Sequence, residues 1–428
     1  MKISTLIAAL LLACLPLINQ DGNSFLVVVG IGLIFVVLGL EFFLFERKTS
    51  ALTELSSFAS TLRSIDYAVL ALVGTCLIAT AGSYFLRESL AGLSKYLVYA
   101  LAYGAFALIT IDRKTQFLLV GATLIGLFWS SFAGIDQILH GAEALATWED
   151  PNTLPGDKLT RVYGLFLNPN LYGAYLVGLW VPCLALTRSF KQNKPAFLML
   201  KVFLTILSLI SVFLIVQTGS RGAWLALALQ IFLSLLLIAP ILPRTLFWTI
   251  ATCIPLGSIA LLYLKPALLN RILTIFSSYD HSSNSFRLHV WQATVDLIGE
   301  NLWFGIGPGS KTFYLAYGIY MDSQYSALGA YSLVLELTAE LGLIGLFCFL
   351  ALIICLGSKA GGILSLQKQA IFQQGADPKD YLFTGSLVVA LSGLLVTGLF
   401  DIVILRPQVL ILVCLLMSLI RNLNATDG

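Results

Sequence analysis

The chain predicts an all-α, polytopic membrane protein of about twelve transmembrane helices. Three observations carry that prediction. Of 428 residues, 58% are hydrophobic and 11% charged, with a mean hydropathy of +0.91, more apolar surface than a soluble core can use. Apolar stretches of about 20 residues, enough to cross a hydrocarbon core about 30 Å thick, recur along the chain. Basic residues gather in alternate connections between those stretches.

The apolar spans are expected near 4–19, 24–45, 65–86, 92–111, 117–134, 170–187, 197–218, 222–239, 246–264, 331–357, 382–400 and 403–420. Many end on an aromatic or basic residue, such as Tyr84 with Arg87, Trp248, or Ile420 with Arg421, as interface anchoring requires. The first stretch also has the outline of a signal peptide, with Leu-Leu-Ala-Cys14 loosely like a lipoprotein cleavage site. A lone Lys2 and a second span close behind favour a membrane helix instead.

Sidedness follows from Lys and Arg. With Lys2 inside, Arg47, Lys48 and Arg63 fall on the same side as Arg113, Lys114, Arg188, Lys191, Lys194, Arg244, Lys359, Lys368, Lys379 and Arg421. These connections are predicted to be cytoplasmic, as are both termini, in a cell inner membrane. Two long segments, 135–169 and 265–330, are poor in basic residues and are predicted to be extracytoplasmic. The chain therefore divides into N-terminal membrane helices (1–134), a first outer segment (135–169), central helices (170–264), a long outer loop with an amphipathic helix (265–330) and C-terminal helices (331–428).

Several function classes are disfavoured. The seven cysteines lie in apolar spans without a CxxC pair, and His140, His281 and His289 lack metal-ligand spacing, so neither a disulfide framework nor a metal site is expected, and no cofactor. A net charge of +3 spread over loops does not argue for nucleic acid. Gly305-Ile-Gly-Pro-Gly309 lacks the strand and lysine of a phosphate-binding loop and reads as a turn.

Candidate chemistry concentrates on the outer side. Asn168 and Asn170 around Pro169 suit a helix N-cap ahead of a membrane span. In the second outer segment Ser285 can cap a helix running to Gly299, with Leu288, Trp291, Val295 and Ile298 as an apolar face and Arg287 one turn from Trp291. Gly219-Ser-Arg221-Gly-Ala is the whole link between two strongly apolar spans. An arginine there snorkels to headgroups or binds an anion, since the guanidinium fork matches phosphate and carboxylate. Arg287 and Arg406 lie on the same predicted side, so three guanidiniums are candidates for one anion. Glu336 and Glu340, four apart, share a face at the start of the tenth span, where a charge is costly enough to suggest function. Asp401 and Arg406 are expected to form a local ion pair.

These residues together resemble a known family. Two spans joined by Gly-Ser-Arg-Gly, a long outer loop, Arg-xxx-Trp leading to a Gly-x-Gly turn, and Leu-x-x-Glu340-Leu-Gly-Leu-Ile-Gly345 are similar to the O-antigen ligase and Wzy polymerase superfamily, from about residue 160 onward. Arg-Val-Tyr…Asn-Pro-Asn-Leu, Ala330-Tyr-Ser and Phe400-Asp…Arg406-Pro look closest to the cyanobacterial IctB branch, whose members are named as inorganic-carbon (bicarbonate) transporters. The resemblance implies a membrane glycosyltransferase-like fold (GT-C type) and, in the enzymes, metal-free transfer of a glycan from a polyprenyl diphosphate to a hydroxyl acceptor. Arg221 and Arg287 match the family's motif arginines. Glu340 and Arg406 join them as candidate substrate-binding residues.

The family's histidine has no match, because its place nine residues before Glu340 is Tyr331. Tyrosine titrates near pH 10 in water and is a poor base near neutrality. His281 and His289 are therefore candidate bases alongside Tyr331. Three readings stay open: a glycan transferase, a bicarbonate transporter or accumulation factor, and a non-catalytic protein that binds a lipid diphosphate or a partner.

Overall fold

A computed structural model describes residues 2–18, 29–34, 36–38, 62–142, 161–190, 195–264, 283–322 and 325–424. The described residues are helical, without a strand. In chain order the helices are α1 (Ile3–Ala13), α2 (Ser64–Ala81), α3 (Leu86–Ile109), α4 (Arg113–His140), α5 (Pro169–Leu186), α6 (Pro195–Gln217) and α7 (Arg221–Ile238). Then follow α8 (Arg244–Leu264), α9 (Ser283–Glu300), α10 (Ser310–Tyr317), α11 (Leu333–Gln374), α12 (Lys379–Phe400) and α13 (Pro407–Asn422).

Eight of these, α2 to α7 with α11 and α12, are long and apolar enough to cross a membrane, whereas α1 and α13 are shorter apolar helices. Large apolar side chains on the perimeter, among them Leu209 on α6, Phe232 and Leu236 on α7 and Ile354 on α11, are more than half exposed. In water that would be a large penalty. In lipid tails it is the expected outer surface of a bundle. The chain thus reads as a multi-pass helical membrane protein.

α12 is the central strut, packed against α7, α5 and α11; α3 packs on α13, α2 on α11, and α1 on α4. Mid-bundle, the Gln230 side chain ties three helices together. It accepts from Trp180 Nε1 at 2.5 Å and donates to the Val177 and Val389 carbonyls at 2.8 and 3.2 Å. Side-chain hydrogen bonds of this kind between membrane helices contribute about 0.6 kcal/mol on average and up to about 1.7.

The 22 residues of α12 span about 33 Å at 1.5 Å per residue, close to the hydrocarbon thickness, and each end carries a polar cluster. At the Asp380 end, Arg113 pairs with Asp380, and Arg421 grips Asp66 with Nε–Oδ1 and Nη2–Oδ2 contacts of 2.7 Å each. At the other end stands Asp401.

α11 departs from the expected span at 331–357. It is 42 residues long and interrupted at Gly342, where φ is 68° and ψ is −173°. A break inside an apolar helix leaves backbone groups unpaired, which lipid cannot satisfy. Here the turn after α9 satisfies them: Ile306 N donates to the Ala339 carbonyl (2.9 Å), Gly307 N to that of Glu340 (3.0 Å), and Leu343 N to that of Leu302 (2.8 Å). The Gly305–Gly309 segment is a turn, as the sequence predicts, and its position is what permits the broken helix. A Cβ on Gly342 would lie 2.2 Å from the backbone of Trp303. Gly342→Ala is therefore expected to combine that clash with about 1–2 kcal/mol of left-handed backbone strain, lowering the melting temperature of purified protein by several degrees. An unchanged melting temperature would remove this account of the break.

Several local expectations are corrected. The helix expected to be capped by Ser285 begins earlier, at Ser283. Its buried face is Val290, Ala293, Thr294, Leu297 and Ile298, while Leu288 and Val295 are more than half exposed. Of the predicted stripe only Ile298 belongs to the core, because the helix docks on α11 and α10 through the neighbouring face. The last span begins at Pro407 rather than 403, since residues 403–405 form a 3₁₀ turn ahead of the proline. Much of the expected span at 24–45 and of the outer segment at 135–169 lies outside the described residues, and 135–140 belong to α4 rather than to that segment.

Candidate functional site

The site forms at the Asp401 end, where α5, α7 and α9 meet the end of α12. Asn168 caps α5, its side chain accepting from the backbone N–H groups of Asn170 and Leu171, and Pro169 occupies the first turn, where no N–H is missed. That cap aims the Asn170 side chain at Asp401: Nδ2 donates to Asp401 Oδ2 at 2.8 Å. Asn170 Oδ1 accepts in turn from Arg161 Nη2 at 2.9 Å, and Arg161 Nε donates to the Thr218 carbonyl at 3.0 Å. Arg161, Asn170 and Asp401 thus link the segment before α5 to the α6–α7 link and the end of α12.

Arg287 joins from α9. Its Nη2 lies 3.5 Å from Asp401 Oδ2, with both side chains mostly buried, and its guanidinium carbon lies 6.0 Å from the centroid of the Tyr331 ring. Asp401 was expected to pair with Arg406, five residues on. It pairs with Arg287 instead, because the 3₁₀ turn at 403–405 separates the two and its other oxygen accepts from its own neighbour, Ile402 N, at 2.8 Å. The ring beside Arg287 is Tyr331 rather than Trp291.

Tyr331 is held in the left-handed region, with φ 50°, a conformation that a bulky side chain adopts only at some cost. Phe286 meets its ring edge-on at 5.7 Å. Burial raises its phenol above the ordinary value and the Asp401 carboxylate adds to that, while the Arg287 and Arg406 guanidiniums act in the opposite direction. The net shift is upward, so Tyr331 is a weaker acid than free tyrosine.

Arg221 opens α7, and the next residue, Gly222, backs onto Phe400 one position before Asp401. The guanidinium-bearing positions 221, 287 and 406 are all brought to this end. His289 is further along α9, stacked on Tyr325 at 4.0 Å with Nδ1 facing Asp322 at 3.5 Å, and Tyr325 lies 6.0 Å from the Phe286 ring. His281 lies outside the described residues.

Glu336 and Glu340 lie in the short arm of α11 ahead of the Gly342 break, and are 1% and 2% exposed. Glu340 accepts from Tyr96 Oη at 2.6 Å and from Gly309 N at 2.8 Å, clamping the glycine turn and α3 to the broken helix. Glu336 accepts from Ala330 N, which fixes the backbone next to Tyr331.

The fold and this polar end define a multi-pass helical membrane protein with Arg161, Arg221, Arg287 and Arg406 gathered at one end of the bundle. Residues 206–350, which include Arg221, Arg287, Tyr331 and Glu340, match the family model described as O-antigen ligase. No curated protein matches the chain. Arg161, Asn170, Asp401 and Arg406 lie outside the matched segment. Of these, Asn170 and Asp401 abut apolar spans but are read from the sequence only as a cap and a local ion pair, and Arg161, eight residues ahead of α5, gives no such signal.

Proposed function

We propose that the protein binds the diphosphate of a polyprenyl-linked glycan at an outward-facing site formed by Arg221, Arg287 and Arg406, with Glu340 supporting it and without glycan transfer by the family's histidine chemistry. The observation that carries this reading is Arg287 set 6.0 Å from the centroid of the Tyr331 ring and paired with Asp401, at the end of the bundle where Arg221 opens α7. Guanidinium forks bind phosphate oxygens bidentately, and a diphosphate offers enough oxygens for more than one fork. The similarity of residues 206–350 to O-antigen ligases supports the same ligand class. A twelve-span, GT-C-like arrangement in a cell inner membrane, with both termini cytoplasmic, is part of this proposal. The direct test is binding of undecaprenyl diphosphate to the purified protein in nanodiscs; no binding at millimolar ligand would reject the reading.

Bicarbonate is the alternative cargo that the IctB resemblance implies, and a planar anion fits the same fork. Bicarbonate flux in proteoliposomes without lipid-diphosphate binding would favour it.

Sidedness has its own test. A cysteine at Ser310→Cys is expected to react with an impermeant thiol reagent from outside the cell, and one at Gln373→Cys is not; both positions are exposed and at opposite ends of the helical core. The reverse labelling pattern would invert the topology and place the arginines on the cytoplasmic side.

A further inference from the structure

At the Asp380 end of the bundle, where α2, α11 and α13 meet, the single carboxylate of Asp66 faces the cations Arg63, Arg421 and Lys359. Asp66 is fully committed. Its Oδ1 accepts from Tyr103 Oη at 2.6 Å and Arg421 Nε at 2.7 Å, and its Oδ2 from Arg421 Nη2 at 2.7 Å and Arg63 N at 2.8 Å. A carboxylate has about four acceptor positions, so none is left for a second cation. Arg63, the residue ahead of α2, sends Nη1 to the Arg421 carbonyl. Among the described residues its other guanidinium N–H groups meet no acceptor, and the Lys359 ammonium on α11 has neither an ion pair nor a hydrogen bond. Both side chains are half-buried, and the Arg63 charge bears on Lys359.

Two like charges held together, partly out of water and without a counter-ion, are costly. Their position names the counter-ion. Arg63 stands at the start of α2 and Arg421 in the last turn of α13, where membrane helices pass from hydrocarbon to headgroups, while α11 runs on past this level to Gln374. Basic groups between membrane helices in that layer bind anionic headgroups. A lipid phosphodiester presents two oxygens sharing one charge, which suits a guanidinium fork and an ammonium side by side. There is also room for it. Gly362, one turn beyond Lys359, is exposed, and a Cβ added there would meet nothing within 4 Å. We infer that Arg63 and Lys359 bind the phosphate of an anionic phospholipid beside α2 and α11, in the leaflet at the Asp380 end. This site lies at the opposite end of the bundle from Arg221 and Arg287 and does not depend on what those arginines bind.

The test is native mass spectrometry of the full-length protein titrated with phosphatidylglycerol, with phosphatidylcholine of the same acyl chains as the comparison. Phosphatidylglycerol is expected to bind in preference to phosphatidylcholine. Its affinity is expected to fall about fivefold or more in Lys359→Gln and in Arg63→Gln. Lys368→Gln, which removes the same charge from an exposed position on the same helix, is expected to bind like wild type. Arg63 also holds the Arg421 carbonyl, whereas the Lys359 ammonium holds nothing, so Lys359→Gln folds and its result decides. Equal binding of the two lipids, wild-type affinity in Lys359→Gln, or the same loss in Lys368→Gln as in Lys359→Gln each overturns the site. Inorganic phosphate is expected not to compete; displacement of phosphatidylglycerol by an equimolar amount of it would assign the cluster to a soluble phosphate and overturn the lipid.

Discussion

Arg287→Lys and Arg221→Lys are each expected to lose about tenfold or more in affinity for undecaprenyl diphosphate, although both keep the positive charge. Lysine presents a compact ammonium that cannot form the two parallel hydrogen bonds of a guanidinium on one phosphate. At position 287 the loss has a second source. The arginine is held between Asp401 and the face of Tyr331, and an ammonium on a flexible stem does not keep that orientation. The measurement is a binding isotherm on purified wild type and variants, with melting temperatures as the control for folding. If both lysine variants bind like wild type, the anion site is not built from these residues.

The second large effect concerns transfer chemistry. The unmodified chain is expected not to ligate O-antigen when expressed in a strain lacking its own ligase, scored as polymer attached to lipid A core. A positioned base with a pKa near the operating pH contributes typically about 10² to 10⁴ in rate, and Tyr331, whose acidity burial weakens further, does not provide one. His289 is turned toward Asp322 and stacked on Tyr325. Ladder formation by the unmodified chain would overturn this expectation and point to another base. Tyr331→His is the informative gain-of-function variant. Its backbone slot, at φ 50°, is one that histidine tolerates better than most side chains.

Binding an anion and supplying a base are physically separable. In the proposed reading a diphosphate needs oriented positive charge, and at Arg287 that orientation comes from Asp401, itself held by Asn170 and Arg161, together with the face of Tyr331. Asp401 is the hub of those contacts, and it was the residue whose partner the sequence misdirected. Proximity along the chain favoured Arg406, while the 3₁₀ turn at 403–405 turned Arg406 toward a cavity lined by Glu336 and Glu340 and left Asp401 to a helix more than a hundred residues earlier.

Membrane helices were legible in the sequence by themselves, because lipid imposes length and apolarity on each span independently of its neighbours. The Asn168 cap and the Gly305–Gly309 turn were legible for a similar reason: both are decided within a few residues of backbone. Arg221 stood out because a lone cation between apolar spans is conspicuous in one dimension. The break at Gly342 was not legible, since the bonds that permit it come from residues 302–307. Nor was the buried face of α9, because two adjacent stripes were both apolar enough and only docking on α10 and α11 chose between them. The pairing of Arg287 with Asp401 and the clamp from Glu340 to Tyr96 and Gly309 likewise belong to the tertiary structure alone. Each depends on side chains from separate helices meeting within a few ångströms, and periodicity along a single helix carries no information about which neighbour it will meet.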